Sequence, residues 1–416
     1  MSSTKMLTMA VAAVVVGGML SACGSAGSAD TVGADGTKTV TIGIMTPLTG
    51  PASASFGQHT LDAANARIQL ANDTNEIPGV KIKLVTQDEG TSVDTSTNAL
   101  KRLAEQDNAL VVLAAGVYFW GSYRYAVQQN IPVVGDCIDG PECGYAENKT
   151  IFATFGSSDN DFKSYKGLPE FFKKQGGTSY CGISYDAPSP SANGKAMAGS
   201  AAAAGLPVKY TNFAMPRGAA DFSSIALSIK QAGCDIVGAQ VQVADAIALY
   251  TAVKSAGVTL KSTFVQGAYG QELLNDPASR AAAQGLTATS GTMPWSQNTP
   301  GVQKMKDALK KYAGWDSPYP AAGFQWGWFT ADTAIAGLKK AGKDVTRESF
   351  VEALRTVTDH DHDGLTCPVD YSKFGTTSQQ FPGNCTWMVK VQDNDFVSIT
   401  GDDPIHIEPI PGTKNS

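Results

Sequence analysis

The sequence predicts an α/β protein in two lobes, each built on a parallel-type sheet covered by helices. Three observations carry this. From Thr39 to Val265, short β-rich runs alternate with helical stretches, as strand–helix–strand units do. One run, Ala109–Ala114, is apolar throughout, as a parallel strand buried on both faces should be. The alternation starts afresh near Ile151 with the same layout, so two sheets are expected rather than one.

In order, Thr39–Met45 is a β-rich strand broken by Pro47, Gly50 and Pro51. A helical period runs from Gly57 through Leu61, Ala64, Ile68 and Leu70, and turn residues from Asn72 to Gly79 end it. Lys81–Thr86 alternates Lys with apolar residues and reads as a strand. Ser92–Gln106 and Tyr118–Asn130 read as helices, and Ile131–Val134 begins another strand. The second series has strands at Tyr180–Tyr185, Val208–Phe213, Asp235–Val241 and Ser262–Val265. Its helices fall at Asp161–Gln175, Asn193–Ala204, Phe222–Gln231 and Ala244–Ser255. Helices at Val302–Tyr312, Phe324–Ala341 and Thr346–Thr356 follow, and Leu365–Ile407 is β-like and rich in turns.

The chain has 416 residues, enough for two substantial cores. Its net charge of −6 is spread thinly and no basic block invites nucleic acid. At the start, Lys5 precedes an apolar run from Met6 to Leu20, which is too short for a comfortable membrane span. Leu20-Ser21-Ala22-Cys23 resembles the bacterial lipobox. The resemblance implies a signal peptide over 1–22, cleavage before Cys23, lipidation of Cys23 and a lipid anchor on the cell membrane. Gly/Ala/Ser-rich residues 23–38 then read as a flexible tether. Besides Cys23 there are Cys137, Cys143, Cys181, Cys234, Cys367 and Cys385. Six thiols allow fifteen pairings. Sequence proximity and strand geometry favour Cys137–Cys143, Cys181–Cys234 and Cys367–Cys385, as structural disulfides in an oxidising space.

Several stretches resemble a family. Thr41-Ile-Gly-Ile-Met-Thr-Pro-Leu-Thr-Gly50 with Phe56-Gly57 is similar to the opening of the type I periplasmic binding proteins of the leucine/isoleucine/valine-binding branch. So are Asp221-Phe-Ser-Ser with Ile225, Ala232-Gly-Cys-Asp-Ile-Val237, Pro300-Gly-Val-Gln-Lys-Met, Asp332-Thr-Ala and Gly337-Leu-Lys-Lys-Ala-Gly342. Gly364-Leu-Thr-Cys-Pro-Val-Asp370 resembles that family's late strand. The resemblance implies two Rossmann-like lobes joined by a three-strand hinge. It implies a small-molecule ligand held in the cleft and delivered to an ABC permease with its ATPase subunits. The crossings are expected near Phe155, Met293 and Asp370. Lobe 1 then comprises 39–155 plus about 295–370, and lobe 2 comprises 156–294 plus about 371–416.

The loops depart from the amino-acid-binding members. Where those carry small hydroxyl residues after the third strand, this chain reads Ala115-Gly-Val-Tyr-Phe-Trp-Gly-Ser122. The next loop reads Gly135-Asp-Cys-Ile-Asp-Gly-Pro-Glu-Cys143, and the place of the acid that meets an ammonium reads Gln266-Gly-Ala-Tyr-Gly270. Recognition of a free amino acid needs donors for a carboxylate and an anion for an ammonium. Neither set is intact, and aromatic faces suit a flatter, more apolar ligand. The expected ligand is an aromatic or alicyclic acid, and the expected contacts are Phe56, Tyr118, Phe119, Trp120, Tyr185, Gln240, Gln242 and Tyr269. For each aromatic the competing role is core packing.

Asp359, Asp361, Asp363 and Asp370, with Gly364, have the spacing of a calcium loop. Cys367 and Pro368 interrupt it, and a solvated acidic turn is the competing reading. His360 and His362 offer a transition-metal alternative. Beyond calcium no cofactor is expected. No nucleophile elbow, P-loop or dinucleotide fingerprint is present, and His59 has no evident catalytic partner, so an enzyme is not expected. The function expected is that of a solute-binding lipoprotein of an ABC importer. The alternatives are a branched-chain amino acid-binding member, a ligand sensor without transport, and a secreted enzyme on the same scaffold.

Overall fold

The structure, a computed structural model, describes residues 33–34, 36–54, 56–90, 92–135, 137, 142–154, 164–186, 188–216, 219, 221–265, 268–319, 321, 323–376, 385–411 and 413. The signal segment, Cys23 and most of the expected tether lie outside them. The first sheet is built from β1 (Lys38–Thr46), β2 (Val80–Asp88), β3 (Val111–Ala114), β4 (Val133–Gly135) and β5 (Ile151–Ala153). Its order is β2-β1-β3-β4-β5, parallel throughout. Helices α1 (Gly57–Asp73), α2 (Val93–Lys101) and α3 (Phe119–Gln128) connect its strands. The helix expected to reach Gln106 ends its α turns at Lys101 and widens into a π turn over Arg102–Gln106.

The second series adds α4 (Leu168–Lys174), β6 (Tyr180–Tyr185), α5 (Pro188–Ala203), β7 (Val208–Met215), α6 (Ser223–Ala232), β8 (Ile236–Gln240), α7 (Val243–Ser255) and β9 (Ser262–Val265). Short helices α8 (Gln271–Asn275) and α9 (Pro277–Ala282) lead to β10 (Thr287–Ser290). The sheet runs β12-β11-β10-β9-β8-β6-β7, where β11 is Cys385–Gln392 and β12 is Asp395–Ser398. Strands β6 to β10 pair in parallel, and β10, β11 and β12 pair antiparallel. β13 (Ile405–His406) lies against β11. Two α/β lobes with parallel sheets are therefore present.

The structure corrects two readings. Of the helix expected over Asp161–Gln175, residues 161–163 lie outside the described residues, and the helix begins at Leu168, because Gly167 takes φ +88° and Tyr165 pairs with Pro409 instead. A side chain at Gly167 would meet the His406 carbonyl at 2.2 Å, so only glycine fits that approach. Strand β10 was not expected, because its residues are Thr-Ala-Thr-Ser. It is buried through hydroxyls: Thr263 Oγ1 donates to the Thr287 carbonyl and Thr287 Oγ1 to the Thr263 carbonyl, each at 2.6 Å.

Helices α10 (Pro300–Ala313) and α11 (Phe324–Ala341) pack on α1, and α12 (Arg347–Leu354) packs on α11. Ala331, Ile335, Phe350 and Leu354 join the core of the first sheet. Tyr371 and Phe374 also pack there. A separate cluster joins Trp295, Met305, Phe324, Trp328, Cys367 and Trp387. Three disulfides form, Cys137–Cys143, Cys181–Cys234 and Cys367–Cys385, with Cα separations of 5.9, 5.9 and 6.1 Å.

Candidate functional site

In an open parallel sheet a ligand crevice opens beyond the carboxyl ends of the strands where the order reverses. The first sheet reverses between β1 and β3, and the second between β6 and β8. The loops that leave Thr46, Ala114, Tyr185 and Gln240 are therefore the ones topology selects.

At the first reversal, two adjacent carboxylates at the end of β2 shape both loops. Asp88 Oδ1 accepts from the N–H groups of Leu48 (2.9 Å), Thr49 (3.3 Å) and Gly90 (2.7 Å), and Oδ2 accepts from Thr49 Oγ1 at 2.6 Å. Burial alone raises this carboxyl, but these donors, led by Thr49 Oγ1, outweigh it and hold it below its ordinary range. Glu89 is fully buried. It accepts from the N–H of Val117 (3.2 Å) and of Tyr118 (3.0 Å), and from Ser96 Oγ at 3.3 Å. A Cβ at Gly116 would sit 1.7 Å from Glu89 Oε2, so the carboxylate approaches the loop only because that residue is glycine. Sequence reasoning missed Glu89. An acid just past a strand at the carboxyl edge was the available signal.

Held this way, the aromatics part company. Phe119 shares a helix face with Ser122 and Ala126 at helical spacing and is 3 % exposed within the first core. Its ring packs with the core of the first sheet. Trp120, one position round α3, is 44 % exposed; with Leu227 and Val397 it makes up the large exposed apolar side chains among the described residues. Tyr118 is half-buried. Phe56 stacks on Trp326 at 6.3 Å and 23°.

At the second reversal, Tyr185 buries its ring and keeps its hydroxyl for the loops. Its Oη donates to Asp245 Oδ2 at 2.6 Å and accepts from the Gln242 N–H at 2.9 Å. Gln240, the last residue of β8, is buried, and Gln242 is exposed. Tyr269 Oη accepts from the Trp295 N–H at 2.8 Å, and its ring meets Phe396 edge-on at 4.9 Å. Burial raises this phenol far above its usual value. Tyr269, Thr292, Trp295, Met305, Phe324 and Phe329 are among the residues lining a recess between the second sheet and α10–α11.

The four carboxylates of the expected calcium loop do not converge. Asp359 is exposed, and Asp363 pairs with Lys304 Nζ at 2.7 Å. Asp370 accepts from the Ser372 N–H and hydroxyl. Positive φ at His362, Asp363 and Gly364 coils the loop tightly, and Cys367 is drawn toward Cys385. The loop instead turns its histidines inward, onto Asp332 of α11.

Two α/β lobes, each with a reversal point in its parallel strands, frame the comparison with known proteins. The chain matches the periplasmic binding protein family over residues 39–395 and belongs to it. The family is one of extracytoplasmic binding proteins rather than enzymes. The fold is similar to that of a branched-chain amino acid ABC transporter protein from Thermus thermophilus with bound valine (TM-score 0.71, 17 % identity, 89 % of this chain and 97 % of that one). It is also similar to a solute-binding protein from Rhodopseudomonas palustris HaA2 in complex with p-hydroxybenzoic acid (0.69, 15 %, 89 % and 97 %). A third is an R. palustris solute-binding protein in complex with benzoate (0.68, 14 %, 91 % and 99 %). At these identities the likeness speaks for the fold alone. No curated protein matches the chain. Among the described residues no helix is long and apolar enough to cross a membrane.

Proposed function

We propose that this protein is a lipid-anchored solute receptor of an ABC importer, tethered through Cys23, that closes by hinge on an aromatic or alicyclic acid. The loop after β3 carries the specificity argument. Its backbone is fixed by Glu89, and it holds Tyr118 half-buried and Trp120 exposed at the edge where a ligand enters. An exposed indole on a backbone that is itself fixed loses little freedom when a flat ring stacks on it. Tyr118, Trp120 and Phe56 form the first lobe's share of the site. Gln240, Gln242, Tyr269 and the Tyr185 hydroxyl form the second's. ATP hydrolysis belongs to the partner subunits, and the binding step makes no covalent bond.

Neighbours that hold valine and benzoates are about equally similar, so the loop rather than the likeness selects the ligand class. A thermal-shift screen of the body from Thr39 onward tests it, with branched-chain amino acids, aromatic carboxylates and alicyclic acids. A ligand that binds only the folded form raises Tm with its affinity and concentration. The expected result is a shift with an aromatic or alicyclic acid and none with leucine or valine. A shift with leucine alone sinks the specificity reading and leaves the receptor reading standing. Radiolabelled palmitate on the wild-type chain and not on Cys23→Ser tests the anchor.

A further inference from the structure

Asp332, His360 and His362 are not used by the binding proposal. Asp332 is on α11, and the histidines are on the loop that follows α12. Asp332 Oδ2 is 2.7 Å from His362 Nδ1 and 2.9 Å from His360 Nε2. The imidazole centroids are 4.2 Å apart. His362 is fully buried, Asp332 is 6 % exposed, and the His360 side chain is 19 % exposed. His360 Nε2 is buried beside Oδ2. One nitrogen of each ring and one carboxylate oxygen thus converge, all within 4.8 Å of one another.

The surroundings resemble an outer shell of a metal site more than a plain hydrogen-bond cluster. His362 Nε2 lies 3.4 Å from the Thr154 carbonyl, a group to which it can donate when Nδ1 holds a metal ion. Metal-bound histidines commonly donate their other N–H to a carbonyl in this way. The other Asp332 oxygen, Oδ1, accepts from Arg67 Nε at 2.6 Å, which fixes the carboxylate. Arg67 is in turn matched by Glu76, at 3.0 and 2.8 Å. Glu76 also pairs with Lys339 Nζ at 3.5 Å and lies 4.0 Å from Lys304 Nζ.

We propose that His360 Nε2, His362 Nδ1 and Asp332 Oδ2 bind a divalent first-row transition-metal ion. Two imidazoles and one carboxylate suit zinc, cobalt or nickel better than calcium or magnesium. Admitting an ion at about 2.0–2.1 Å from each ligand asks the three side chains to spread by about half an ångström. The loop ends that bear the histidines run into Leu365, whose carbonyl accepts from the Met293 N–H at 2.8 Å. A bound ion therefore ties α11 to the loop after α12, and through Leu365 and Thr154 to Met293 and the residue after β5.

The test uses untagged protein stripped with chelator and then exposed to Zn²⁺ or Co²⁺. Wild type retains about one Zn²⁺ per chain through gel filtration, and Co²⁺ gives visible absorption of nitrogen-ligated character. His360→Ala and His362→Gln each lose both signals, while His59→Ala and His406→Ala keep them. His360 is partly exposed, so His360→Ala is the variant that decides, with circular dichroism confirming that it folds. Equal Zn²⁺ retention by His360→Ala means an adventitious ion only and overturns the site. So does retention below a tenth of an equivalent by the wild type.

Discussion

At the first reversal point the loops are held by carboxylates on a third strand, Asp88 and Glu89, acting on backbone N–H groups. At the second they are held by a phenol on one of the reversal strands, Tyr185, reaching Gln242 and Asp245. The second pair of strands is also stapled at its amino-terminal end, where Cys181 of β6 meets Cys234 just before β8. The first pair has no such staple; its lobe carries Cys137–Cys143 after β4. The difference has a consequence for binding. Carboxylate anchors lend the first crevice a fixed backbone without using the loop's own side chains, so Tyr118 and Trp120 stay available. In the second crevice the anchoring side chain is itself one of the aromatics at the site.

This comparison can be broken in four places. The largest effect belongs to the staple. Cys181 and Cys234 are 53 residues apart, and replacing both with Ser is expected to cost about 4 kcal/mol by the chain-entropy relation. The Cys137/Cys143 pair, 6 residues apart, is expected to cost about 2 kcal/mol. Urea melts of the two double variants measure both, and equal costs would show that the staples do not act through the unfolded chain.

Glu89→Ala comes next, because it strands two backbone donors in the interior; about 3 kcal/mol is expected. Denaturant unfolding gives the number, and hydrogen exchange at Val117 and Tyr118 should quicken in the same variant. A loss below about 0.5 kcal/mol would mean that the 115–120 loop stands without its carboxylate. Tyr185→Phe keeps the ring and removes only the hydroxyl, so about 1–2 kcal/mol is expected. If it costs more than Glu89→Ala, the two anchors have been ranked in the wrong order.

The smallest effect on stability is at Trp120. Trp120→Ala should change unfolding free energy by less than about 0.5 kcal/mol, since the ring is well exposed. The same change should weaken binding of the ligand found in the thermal screen about tenfold, as truncation of an aromatic contact does. Calorimetric titration separates the two. Lost stability with unchanged affinity would place the indole in the fold rather than in the site.

Most elements were legible in the residues. Tyr180–Tyr185, Ser262–Val265 and Phe324–Ala341 are found at the bounds their periodicity suggests. Strand β10 was not legible, because its burial rests on hydroxyl pairs with Thr263 rather than on apolar side chains. The aromatic run at 118–120 was visible, but not its division into an inward Phe119 and an outward Trp120. That division depends on where α3 starts, which the bonds from Tyr118 and Val117 to Glu89 set.

The Asp359–Asp370 stretch shows the same limit from the other side. Its spacing pointed to the carboxylates, whereas the fold gathers the two histidines onto Asp332, 28 residues before His360. Residue order and periodicity by themselves determined most of the strands and helices and the loops that leave the reversal strands. These follow from local conformational preference and from which side chains avoid water. The tertiary structure alone decided that Glu89 meets Val117 and that Asp332 meets His360 and His362. Such contacts join residues far apart in the chain, and their cost in loop closure is met only when whole layers pack.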